Sequence, residues 1–207
     1  MRIKRVIYTK NAQDSDGKIG DYLLIFHHNI SKGDVFLSVK DFLFANEENK
    51  YSIFGFIDDS FKYDGKNFEF LMEYPDDNTH GFWLQNINPW KAEPDSDVGY
   101  IDKGKNFKGM LEFTGLTRHS SVYSFLDGIS RNIGEWYYSI GLREPWGKHN
   151  SIPGSYAGEN PPIYEVFLWM RIPSFSFLKA KSFGVLTCRQ KMHLSFRWLF
   201  CIILFIS

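Results

Sequence analysis

The run Ile163-Tyr-Glu-Val-Phe-Leu-Trp-Met-Arg-Ile172 constrains this chain more than any other stretch. Tyr164, Val166, Leu168 and Met170 fall on one side of it, and Glu165, Phe167, Trp169 and Arg171 on the other. A period of two belongs to a strand, and aromatic and β-branched side chains suit a pleated surface. Its length predicts a central strand late in the domain. A second run behaves the same way: Phe68, Phe70, Met72 and Tyr74 share one face, with Glu69, Leu71 and Glu73 opposite. Pro75-Asp-Asp-Asn78 stops it.

Shorter runs repeat the theme. Phe, Trp and Tyr make up 18% of the chain, and they sit in short segments broken by Gly, Asn, Asp and Pro, which is strand punctuation. Strands are expected at 4–9, 22–28, 51–57, 81–85, 110–114, 122–126 and 135–140. Asp64-Gly65, between Phe61 and Phe68, predicts a type I′ hairpin turn. Ser38–Ala45 alone reads as a helix, with Val39, Phe42 and Leu43 at i, i+3, i+4 spacing. No strand–helix–strand alternation is present. The expected fold is all-β, an antiparallel β-sandwich or jelly roll over 1–173, with one short helix near 38–46.

The 24 basic and 24 acidic residues cancel, which argues against nucleic acid as a partner. The balance is uneven along the chain. After Glu165 there is no acid, whereas 174–207 holds Lys179, Lys181, Arg189, Lys191 and Arg197, together with both cysteines, Cys188 and Cys201. A boundary is expected near Pro173. The tail ends in nine apolar residues, Trp198–Ile206, against the ~20 that a spanning helix needs. Three readings stay open for it: an interfacial anchor giving membrane contact, a late strand packed on the body, or sequence carried past the true domain end by an imperfect gene model. The last is favoured on the composition break. The basic N-terminus is not followed by an apolar signal core, which favours a cytoplasmic setting. Two cysteines make neither a disulfide scaffold nor an all-cysteine zinc site.

Several segments carry chemistry. Phe82, Trp83, Gln85, Asn86, Asn88 and Trp90 form one aromatic-amide cluster, and Glu135 to Asn150 holds a second with Trp136, Arg143, Trp146 and His149. Flat rings bordered by amides and bases suit carbohydrate: the C–H face of a sugar stacks on the ring, and hydroxyls meet the polar groups. Trp90 and Trp146 sit beside Pro or Gly in apparent loops. The expected ligand-binding set is therefore Trp90, Trp146, Asn88, Arg143 and His149. The competing reading is that the tryptophans are core. Asp14-Ser-Asp16-Gly17, Pro75-Asp76-Asp77-Asn78 and Pro94-Asp95-Ser96-Asp97 lack full EF-hand spacing, and Asx-turns account for them. No cofactor is expected, with calcium in one of these loops as the weaker alternative. His27 and His28 are adjacent, so on a strand their rings oppose, and no zinc spacing occurs. Gly154-Ser-Tyr-Ala-Gly158 is not a nucleophile elbow, because the serine follows the first glycine directly. The carboxylate pairs Asp58 with Asp59 and Glu73 with Asp76 keep a glycan hydrolase open.

Phe125-Leu-Asp-Gly128, Glu135-Trp-Tyr-Tyr-Ser-Ile-Gly141, Ile152-Pro-Gly154 and Val166-Phe-Leu-Trp-Met-Arg-Ile172 form an ordered pattern. It resembles a β-sandwich group of protist proteins and, in outline, is similar to galactose-binding-like jelly rolls of the discoidin (coagulation factor 5/8 type C) kind. Gly81-Phe-Trp-Leu-Gln85 is similar to a Trp-x-Gln-aliphatic step of those domains. The body lacks the cysteines that often join the ends of discoidin domains. The resemblance implies a binding module and assigns no ligand residues. The expected function is a non-catalytic, lectin-like module that binds a glycan or glycoprotein. The alternatives are a protein–protein interaction module and a glycan-active hydrolase.

Overall fold

The computed structural model describes residues 3–14, 16–31, 33–76, 78–105, 113–119, 124–128, 139–143, 164–173, 184–189 and 200–206. The protein is an all-β sandwich with one short helix. Its strands in chain order are β1 (Ile3–Gln13), β2 (Ile19–Asn29), β3 (Lys50–Ser52), β4 (Phe68–Tyr74), β5 (Thr79–Gln85), β6 (Ile101–Lys105), β7 (Thr117–Arg118), β8 (Ser124–Asp127), β9 (Ile140–Leu142), β10 (Glu165–Arg171), β11 (Gly184–Arg189) and β12 (Phe200–Ile206). The helix α1 spans Val39–Phe44. Among the described residues a nine-stranded sheet runs β11-β12-β1-β2-β10-β4-β5-β6, with β3 beside β2, and a smaller sheet runs β7-β8-β9. Every pairing is antiparallel.

The long alternating run becomes β10, flanked by β2 and β4, so a late segment is central. Its pairing with β2 skips Ile25, whose carbonyl accepts instead from Ile53 N at 2.9 Å. The face carrying Phe68, Phe70 and Met72 of β4, Trp83 of β5 and Leu168 of β10 packs on α1 and the small sheet. Phe42 of α1 is the hub: its ring lies 5.7 Å from Phe26, 5.4 Å from Phe54 and 4.7 Å from Phe125. Each such ring, fully buried, contributes about 1.5–3 kcal/mol. Gln85, itself buried, ties the layers. Its Oε1 accepts from Trp83 Nε1 and Leu116 N, and its Nε2 donates to the carbonyls of Ile87 and Leu116.

The opposite face is closed as well, by charge. Arg171 Nη1 lies 3.1 and 3.0 Å from the two oxygens of Glu69 and 3.7 Å from Asp14, and the Tyr22 hydroxyl donates to Glu69. Farther along, Lys10 pairs with Glu73, to which Trp169 Nε1 donates at 2.7 Å, and His27 pairs with Glu165. Lys103 on β6 pairs with Asp16 in the β1–β2 turn. A flat sheet would separate those strands by roughly 20 Å, so this sheet curls toward its charged face.

Several expectations are corrected. The 51–57 strand ends at Ser52 and passes into a 3₁₀ turn at Phe54–Phe56. Gly55 permits that turn to be crossed by the Phe44 ring, which lies 2.1 Å from where a Cβ would stand. Asp64-Gly65 does not make a type I′ hairpin. Gly65 has φ +77° while Asp64 stays out of the left-handed region, and residues 59–61 are 3₁₀ rather than strand. Asp64 instead accepts from the amides of Lys66 and Asn67. The 110–114 and 135–140 expectations fall largely outside the described residues; Phe113 and Thr114 are not in a strand, and β9 begins only at Ile140. The tail takes the late-strand form. β12 pairs β1 from Ile3↔Ile206 to Thr9↔Phe200, and β11 pairs β12, so residues beyond Pro173 extend the large sheet.

Candidate functional site

The segment after β5 is anchored by Asn88. Its Nδ2 donates to the Ile57 carbonyl at 2.9 Å, its Oδ1 accepts from Trp90 N at 3.0 Å, and its backbone carbonyl accepts from Lys91 and Ala92. Pro89 adds a fixed φ to this turn. The result presents Trp90 half-buried, its ring 5.4 Å from Phe42 and 6.3 Å from Phe125. Arg143, exposed just past β9, carries its guanidinium 4.8 Å above the same Phe125 ring. Gly141 lets the Phe42 ring pack against β9 here. Its φ is +77°, and the Phe42 ring lies 2.6 Å from where a Cβ would stand. The Phe36 amide donates to the Leu142 carbonyl at 2.8 Å and braces β9 beside Arg143. Leu37 is 82% and Val39 49% exposed next to this brace.

Of the expected set, the structure therefore brings Trp90 and Arg143 against one buried ring, Phe125. Asn88 is corrected. It is 2% exposed and its amide is engaged on both ends, so it positions Trp90 and faces no ligand. Trp146 and His149 lie outside the described residues. Trp83, by contrast, is core at 1% exposure.

The other candidates resolve into structural roles. Asp76 accepts from the amides of Tyr164 and Glu165 at 2.7 and 2.8 Å, clamping the start of β10, and Asp58 caps a 3₁₀ turn through Ser60. Of the carboxylates named for hydrolysis, Asp58 and Asp76 thus hold backbone amides, Glu73 is held by Lys10 and Trp169, and exposed Asp59 pairs with Lys62. Asp14 accepts from Asp16 N and Lys18 N, and Asp97 from Gly99 N, as Asx-turns do. Among the described residues no group of three or more His, Cys, Asp or Glu side chains converges as a metal site would require, and no helix is long and apolar enough to cross a membrane.

Two constellations escaped the sequence reading. Ser124 Oγ lies 3.0 Å from His119 Nδ1, and Ser139 Oγ donates to Asp127 at 2.9 Å. His119 Nε2 is 3.0 Å from Asp127 Oδ2, yet that oxygen has no hydrogen-bond partner of good geometry. With Ser124 at 1% exposure and Asp127 at 0%, this chain stitches β7, β8 and β9 and is closed to substrate. The second is His28, fully buried on β2, with Nε2 bonded to the Asp34 carbonyl at 2.8 Å and Nδ1 without a partner among the described residues. Burial lowers its pKa from 6.5 to about 4. On the charged face burial, then the Glu69 carboxylate, push the Tyr22 hydroxyl pKa far up, so it remains a donor.

Comparison with known protein families, with curated proteins and with solved structures gives no match.

Proposed function

We propose that the chain is a non-catalytic ligand-binding module whose site is the rim at Trp90 and Arg143, and that its ligand is a glycan. One observation supports this reading most: a half-buried indole, held rigid from below by Asn88 and Phe42, shares the Phe125 ring with an exposed guanidinium. The indole offers a flat apolar face for sugar C–H groups. The guanidinium offers a planar fan of donors for vicinal hydroxyls or a carboxylate. Preorganisation matters because it limits the ordering entropy that binding costs. The resemblance to galactose-binding-like jelly rolls points the same way. The test is a broad glycan array probed with the full chain, calcium present. Selective signal that disappears in Trp90→Ala and weakens in Arg143→Ala supports the reading; a blank array from folded protein overturns it.

A protein partner is the second reading. Exposed Leu37 and Val39 stand beside the same brace and would widen the rim into an apolar contact patch. On that reading Leu37→Asp abolishes capture of the partner and leaves glycan signal at background.

A further inference from the structure

We propose that His28 is an acid-labile latch: neutral, it pins the 30–37 segment against β2; protonated, it releases that segment and with it the brace on β9 beside Arg143.

The argument begins with the acceptor. The Asp34 carbonyl can only accept, so Nε2 of His28, 2.8 Å away, must carry the proton. In the neutral ring Nδ1 is then a bare lone pair, and among the described residues no donor reaches it. A second proton would place an N–H and a positive charge at a point where no described residue accepts. The ring is 0% exposed, so it is closed to bulk solvent. Its neighbours are Phe26, at 6.2 Å between centroids, and Phe36 of the segment itself, at 4.7 Å.

The charges around it do not rescue the imidazolium. On β3 the Lys50 ammonium repels it, and that ammonium is itself committed to the Val35 carbonyl, Asp41 of α1 and Glu47. On β2 the neighbouring His27 turns to the opposite face and pairs with Glu165. On the segment Asp34 is the one attractive group, but its carboxylate is taken by Asn49 Nδ2 at 3.0 Å. The β10 residue opposite His28 is Val166, which has no charge to offer. Burial is accordingly the largest cause of the lowered proton affinity, and the ring resists protonation down to about pH 4.

Opening the segment frees the ring to titrate near its ordinary 6.5. Between those two values the open form binds more protons than the closed one. Opening therefore becomes easier as pH falls below 6.5, by up to about tenfold per pH unit. The closed arrangement is held by contacts that all run through this segment: His28 to Asp34, Asn49 to Asp34, Lys50 to Val35, and Phe36 N to the Leu142 carbonyl. Losing the last one unpins β9 next to Arg143. That consequence for ligand binding rests on the site proposed above; the latch itself does not.

The experiment is amide hydrogen exchange of the full chain from pH 7.5 to 4.5, corrected for the intrinsic rate, in the native protein and in His28→Gln. Glutamine keeps a donor for the Asp34 carbonyl and cannot titrate. The expected result is that protection of the Gly33 and Phe36 amides falls by about tenfold or more toward pH 4.5 in the native chain, stays within about twofold in His28→Gln, and holds in β4 of both. Flat protection in the native chain, or the same acid loss in His28→Gln, overturns the latch. If His28→Gln does not fold, the native ring decides. Segment opening that tracks the His28 titration supports the proposal, and a ring that titrates near 6.5 under a closed segment overturns it. A blank glycan array would remove the site and leave this exchange result standing.

Discussion

On one face of the large sheet Phe68, Phe70 and Met72 of β4 are buried among rings; one residue along the same strand, on the other face, Glu69 is buried as deeply against Arg171. The apolar face is held by dispersion and the hydrophobic effect, which degrade gradually as atoms are removed. The charged face is held by an arrangement in which each group answers another: Arg171 by Glu69 and Asp14, Glu69 by Tyr22, and Glu73 by Lys10 and Trp169. There the loss of one member strands the rest, because an uncompensated buried charge costs several kcal/mol. The lesson is that an alternating strand can bury both faces when the polar one is fully paired. On the proposed reading binding falls to the rim, where Trp90 is half-buried and Arg143 exposed.

The comparison predicts an order of effects. Phe70→Ala should cost about 3–5 kcal/mol in urea unfolding, the price of a cavity in the ring-packed face. Glu69→Gln should cost about 3 kcal/mol by leaving Arg171 short of its main partner, whereas Tyr22→Phe with Glu69→Leu and Arg171→Met, which removes the group together and leaves Asp14 its backbone donors, should recover much of that loss. If the triple variant is no more stable than Glu69→Gln, the two-face contrast is broken. Asn88→Ala should cost about 1–3 kcal/mol through the orphaned Ile57 carbonyl and Trp90 amide, and should weaken ligand binding through Trp90. Acidification should reduce global stability from pH 6.5 toward 4, because the unfolded chain protonates His28 and the folded chain does not. Lys10→Met should cost about 1 kcal/mol or less, since Glu73 is partly exposed and keeps Trp169 as a donor.

Much of the fold was legible because alternation is a local signal. It marked β4 and β10 and set Glu69 and Arg171 each on one side of its own strand; that the two sides share one face of the sheet comes from the pairing of β10 with β4. The helix expected at Ser38–Ala45 was equally readable and forms over Val39–Phe44, capped by Ser38 Oγ on Asp41 N, but of the stripe Val39, Phe42 and Leu43 only Phe42 is buried. What failed depended on distant residues. Gly55 invites a 3₁₀ turn only because the Phe44 ring crosses it, and the β12 pairing with β1 joins the two ends of the chain. At the candidate site, loop context singled out Trp90 and Trp146, and Arg143 was named as a polar neighbour, but nothing local said that Asn88 would be engaged by Ile57, 31 residues away. A charged residue in the middle of an aromatic strand, as Glu69 is, was the available clue to a buried partner.

The most direct test sets the rim against the charged face in one binding measurement. Glycan binding of Trp90→Ala is compared with that of Lys10→Met, both as the full chain and both shown to be folded. The account predicts that Trp90→Ala loses the signal and Lys10→Met keeps it. Binding that survives Trp90→Ala and fails in Lys10→Met would put the site on the charged face and contradict the account.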